Sequence, residues 1–102
     1  MSKIEAKRIV KKYAQKLRKD KIPFSSIYLF GSFAKNQQKD TSDIDVAIVS
    51  KQKKTDKFVI KISRPIWNTD TRIEPHIFTE KEFKNKATPL IEEIIKTGVK
   101  VE

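Results

Sequence analysis

Cysteine is absent from this 102-residue chain, and glycine occurs only twice. Without cysteine there is neither a disulfide framework nor a zinc–thiolate site. No stretch approaches the roughly 18 consecutive apolar residues that a membrane-crossing helix needs. The charged N-terminus lacks the apolar centre of a signal peptide, so a cytoplasmic protein without a membrane is the expectation. Neither a GxxxxGKS/T nor a GxGxxG pattern occurs, which argues against P-loop and Rossmann sites. Hydrophobic residues are scarce, at 37%, against 35% charged. One domain over residues 1–102 follows, with a modest core and much solvated surface.

What the chain has in excess is positive charge, a formal +10. Such a balance favours an acidic partner: nucleotide, nucleic acid or acidic protein. The lysines are spread along the whole chain, however, and a solvated lysine-rich surface explains them as simply. Nucleic acid stays possible without being favoured.

The chemistry concentrates between Ser26 and Val49. Ser26 to Phe30 is apolar and aromatic and suits a buried strand. Gly31 can adopt a backbone conformation closed to other residues and admits a ligand close to the main chain. From Ser32 a short helix is expected, whose free N–H groups would favour a phosphate. A polar loop leads to a second strand, Asp43 to Val49. Alternation places Asp43 and Asp45 on one face and Ile44, Val46 and Ile48 on the other. Two carboxylates side by side repel unless a cation lies between them. A phosphate cradle facing an acidic pair suggests a nucleoside triphosphate held with Mg²⁺. The plainer alternatives are a turn with a helix cap at Gly31-Ser32, a loop cap at Asp43 and a lysine partner for Asp45.

Around this stretch the periodicities give a helix from Ser2 to Lys19, with Ala6, Ile9, Val10, Tyr13, Ala14 and Leu17 on one face. Pro23 ends the following segment, with Lys21 and Ile22 expected to be extended. Asp56 is expected to cap a helix to about Trp67, its last turn in question at Pro65. Trp67 and Phe58 suit the core or a partner interface better than a base-stacking role. Thr71 to Phe78 reads as a third strand carrying Arg72, Glu74, His76 and Phe78 on one face, and Pro75 places it at a sheet edge or a bulge. Thr79 and Glu82 form a capping box. A last helix runs from Pro89 to about Thr97, with Gly98 at its end. Val99 to Glu102 is either a short strand or a docking tail.

Gly31-Ser32, ten intervening residues and then Asp43-Ile44-Asp45 on a strand resemble the signature of the DNA polymerase β-like nucleotidyltransferases. The stretch GSFAKNQQKDTSDIDVAIV is similar to that of the minimal nucleotidyltransferases, over roughly residues 24–78. It departs at Lys35, where arginine is common, and at Asn36, where glycine is common. The resemblance implies an α+β fold, with a small mixed sheet flanked by helices. It implies a Mg²⁺-dependent nucleotidyltransferase using ATP and two metal ions. Gly31, Ser32 and Lys35 would then hold phosphates, and Asp43 and Asp45 would ligate both ions. The third carboxylate expected on a following strand would be Glu74; Asp70, Glu80 and Glu82 lie just outside that strand. The plainer reading of Glu74 is an ion pair with Arg72 or a lysine. His76 suits either a structural histidine or one that orients the acceptor or triphosphate.

The same resemblance implies an antitoxin that adds AMP to a tyrosine of a HEPN-domain toxin partner. Transfer to a small molecule such as an aminoglycoside or to an RNA end is the rival enzyme reading, and homodimerisation could build its cleft. A non-catalytic module that masks its partner by contact is the rival of another class.

Overall fold

The structure, a computed structural model, describes residues 1–39 and 42–102. Ser2 caps helix α1 (Lys3–Lys19) by accepting from the Glu5 N–H, and the expected stripe of Ala6, Val10, Tyr13, Ala14 and Leu17 is buried. Strand β1 (Ser26–Phe30) is followed by β2 (Ile44–Ser50), α2 (Asp56–Trp67), β3 (Ile73–Thr79), α3 (Glu80–Lys84), α4 (Pro89–Thr97) and the short β4 (Val99–Lys100). The sheet order is β3-β2-β1-β4, with β2 and β3 parallel and the other pairs antiparallel. This is the expected α+β class with a mixed sheet.

The period-two alternation sorts the sheet into two faces. Ile27, Leu29, Ile44, Val46, Ile48, Ile73 and Ile77 join α1 and α2 in the main core. The Tyr13 hydroxyl crosses that core to donate to the Ile62 carbonyl at 2.6 Å, and burial pushes its pKa up. The other face carries a smaller cluster of Phe30, Ala47 and Ile94, with Tyr28, Phe78 and Phe83 packed against it. Pro75 lies on the outer strand, where its missing N–H costs no ladder bond. Val99 and Lys100 pair with β1, so the terminal segment is a strand.

Several local expectations change. The cap of α2 is Thr55, which accepts from the Phe58 N–H at 3.2 Å, rather than Asp56. The helix also continues through Pro65 to Trp67. Lys21 is left-handed, φ 58°, instead of extended. Its N–H reaches Arg18 O and the Ile22 N–H reaches Leu17 O, so a Schellman motif closes α1 before Pro23 is reached. Gly98 ends α4 at φ −72° and not in the left-handed form. Glycine is required there for space, because a Cβ would collide with the Ile94 carbonyl oxygen.

Candidate active site

The site grows from one sheet register. Phe30 pairs with Asp45 across β1 and β2, and Asp45 pairs with Glu74 across β2 and β3. These three side chains form a row at the end of the sheet where β2 and β3 begin. One step further in, Tyr28, Ala47 and His76 form the next row on the same face. Ala47 is small, which leaves room for the imidazole to lean toward the acids. The His76 ring meets Phe30 edge-on, with centroids 5.0 Å apart.

Donor atoms of Asp45, Glu74 and His76 all lie within 4.8 Å of one another. His76 Nε2 is 3.5 Å from Asp45 Oδ1 and 3.8 Å from Glu74 Oε1. Both separations are longer than a well-formed hydrogen bond, and Nε2 is buried without a partner among the described residues. Burial raises the Asp45 carboxyl above its ordinary pKa; His76 opposes the shift and the Asp43 charge adds to it. Asp43 is exposed, just ahead of β2, and lies outside the donor trio.

Gly31 answers to this geometry twice. Its φ of +75° lies in the left-handed region, and a Cβ would collide with Asp45 Oδ2 and come within 3.2 Å of its Cγ. The segment after it is a single hydrogen-bonded turn, not the expected short helix. Buried Phe33 and Ala34 anchor the turn in the fold. Asn36, at φ 55°, then closes it: its N–H reaches Phe33 O, and the Gln37 N–H reaches Ser32 O at 2.8 Å. This is another Schellman motif. Asn36 therefore stands in the left-handed position that glycine fills most easily and asparagine next. One turn carries little macrodipole, but the N–H groups of Ser32, Phe33 and Ala34 have no acceptor among the described residues. Lys35 pairs with Glu93 of α4. The polar loop before β2 includes Asp40 and Thr41, which lie outside the described residues.

The rivals of Glu74 are engaged elsewhere. Asp70 grips Arg72 through the backbone N–H and the guanidinium, with Oδ2 at 2.6 Å from Nη2. The guanidinium holds the Asp70 carboxyl below its usual range. Arg72 is thus Asp70's partner and not that of Glu74. Glu80 accepts from the Ser25 hydroxyl, and Glu82 completes the capping box with Thr79. Glu74 is 52% exposed in its side chain and turned to the acids' row. Sequence reasoning placed His76 on that row's face but not in the donor set. The signal was its i+2 spacing from Glu74 on a strand. Phe58 is buried in the core, whereas Trp67 is 77% exposed. Among the described residues no helix is long and apolar enough to cross a membrane.

Solved structures share this fold. A crystal structure described as "a putative nucleotidyltransferase from Sulfolobus solfataricus" aligns with a TM-score of 0.67 and 23% identity, covering 98% of this chain and 86% of that one. A toxin–antitoxin complex crystallised with AMP-PNP aligns at 0.66 and 22% identity, covering 90% of this chain and 72% of its own. In sequence, two proteins of Methanocaldococcus jannaschii, "Putative protein adenylyltransferase MJ1217" and "Putative protein adenylyltransferase MJ0126", are each 48% identical over 44 residues. Those matches cover 43% of this chain and 44% of each relative, so the shared stretch spans less than half of either. The family described as polymerase beta, nucleotidyltransferase, matches residues 10–101. With nearly the whole chain matched, the protein belongs to the polymerase β nucleotidyltransferase family.

Proposed function

We propose that this chain is a Mg²⁺-dependent nucleotidyltransferase that moves AMP from ATP to a hydroxyl group of a protein. The observation that carries the reading is the lateral pairing of Asp45 with Glu74 beside a glycine whose missing Cβ leaves the acid its place. Asp45 and Glu74, with Asp43 at the strand's entry, would hold the metal. The donor set fits a divalent cation: two carboxylates and an unpartnered nitrogen converge, and an ionised Asp45 lacks full compensation without one. When bound, Mg²⁺ supplies Lewis acidity at the phosphates and neutralises charge on the attacking and leaving oxygens.

The chain's own residues do the rest. Gly31 and Ser32 offer backbone N–H groups, and Ser32 its hydroxyl, to the β- and γ-phosphates. Lys35 contributes a point charge to those phosphates once its pair with Glu93 opens. The acceptor oxygen forms a bond to the α-phosphorus while the bond to the bridging oxygen breaks, and pyrophosphate leaves with that electron pair. The hydroxyl proton passes to the exposed Glu74 carboxylate.

The acceptor proposed is a tyrosine of a HEPN-domain toxin, which the chain would silence as its antitoxin in a type VII-like pair. Two relatives named as protein adenylyltransferases and a structural neighbour crystallised as a toxin–antitoxin complex support this direction. Exposed Trp67, Ile60 and Ile95 offer apolar surface to such a partner. The test is intact-mass analysis of the adjacent gene's product after incubation with this protein, ATP and Mg²⁺. A gain of one or more AMP units is expected, absent with an Asp43→Asn/Asp45→Asn double variant. An unchanged mass, with both forms binding the partner equally, would overturn transfer in favour of masking by contact.

A further inference from the structure

We infer that His76 is a ligand of the divalent cation, turning an all-oxygen carboxylate site into a mixed oxygen–nitrogen one that discriminates for Mn²⁺ over Mg²⁺. The inference rests on the proposed cation site and adds the identity of one donor and its consequence for metal choice.

Its ground is a buried nitrogen without a well-formed hydrogen bond among the described residues. A polar atom withdrawn from water and left unpaired is rare in folded proteins and calls for a missing partner. Among the described residues Nε2 has no hydrogen-bond partner, yet it points at two carboxylate oxygens, 3.5 Å and 3.8 Å away. The ring is held there from two directions. Phe30 packs edge-on against it from β1, and the small Ala47 lies alongside it on β2. A cation between the three donors would satisfy Nε2 and relieve the crowded carboxylates together.

Ligand chemistry sets the selectivity. Mg²⁺ prefers oxygen and keeps its waters, whereas Mn²⁺ shares the preference for carboxylate but, as a first-row transition ion, gains more from an imidazole nitrogen than Mg²⁺ does. His76 is the chain's one histidine, so a nitrogen signal from labelled histidine has one source.

The experiment loads untagged protein carrying ¹⁵N-histidine with Mn²⁺, alone and with a non-hydrolysable ATP analogue, and records pulsed electron paramagnetic resonance. Coupling of ¹⁵N to Mn²⁺ is expected in the wild type and its loss in His76→Ala. The ratio of Mg²⁺ to Mn²⁺ dissociation constants should fall roughly tenfold in His76→Ala. His76→Gln, which returns an oxygen, should lose the ¹⁵N signal while keeping Mg²⁺ affinity, with the circular dichroism spectrum of both variants unchanged. No coupling in either wild-type sample, or no Mn²⁺ binding at all, would overturn the inference. Coupling without AMP transfer would overturn the transferase reading and leave the ligand assignment standing. Transfer without coupling would do the reverse.

Discussion

Neighbouring residues of β2 live in opposite worlds. Val46 and Ile48 are fully buried among α1 and α2, and the strand could hardly be more apolar on that face. Asp45, one residue from Val46, stands on the other face with a side chain 27% exposed and a carboxyl raised above its ordinary pKa. One face is built to be stable and the other keeps repelling charges together. A fold that tolerates the second face must be over-determined by the first. The two glycines divide the same way: Gly98 makes room for the backbone of α4, and Gly31 makes room for Asp45.

This contrast can be broken from either side. The largest effect is expected from Asp45→Asn, which should lower AMP transfer by about 10²–10³-fold, the rate equivalent of roughly 3–4 kcal/mol of lost charge stabilisation. Its effect on folding should run the other way. A carboxyl whose pKa is raised by folding destabilises the fold once ionised, and that cost disappears as the pH falls below the ordinary aspartate value. Without divalent cations, Asp45→Asn should therefore be more stable than wild type at neutral pH. Urea titrations should show the advantage vanish below about pH 4. Ile48→Ala on the opposite face should remove about 2–5 kcal/mol of stability, with the transfer rate per folded molecule unchanged.

Gly31→Ala should damage both properties. Left-handed strain alone amounts to roughly 1–2 kcal/mol, and the new methyl must also displace the Asp45 carboxylate. Gly98→Ala is the matched control, expected to lower the melting temperature while leaving metal binding intact. The smallest effect concerns a helix end far from the acids. Lys21→Gly relieves a non-glycine residue at φ 58° and should stabilise by about 1 kcal/mol in denaturant titrations.

Most of the fold was legible in the sequence because its signals are local. The α1 stripe, the Thr79–Glu82 capping box, Pro89 at a helix start and the alternation of β2 depend on neighbours within a turn or along one strand. The misreadings arise where a distant packing demand decides. After Gly31 a helix was a fair expectation from local pattern, yet Asn36 turns left-handed and ends it after one turn, with Phe33 already committed to the core. Lys21 does the same at the end of α1, against the extended form that Pro23 suggested. In the site, Asp45 and Glu74 were legible as strand acids facing one way. Register was not, because parallel pairing of β2 with β3 follows from how α2 crosses between them. Only that register brings Glu74 beside Asp45 and lets His76 lean in. The elimination of Asp70 likewise needed the Arg72 grip to be seen.

The central claim is that this acidic row serves nucleotidyl transfer, and the position of a radiolabel tests it most directly. Protein and its partner would be incubated with ATP labelled at either the α- or the γ-phosphate, beside the Asp43→Asn/Asp45→Asn variant. The α-label should become protein-bound with the wild type only, and the γ-label should leave as pyrophosphate. Retention of the γ-label on protein, or α-labelling that survives loss of both aspartates, would contradict the account.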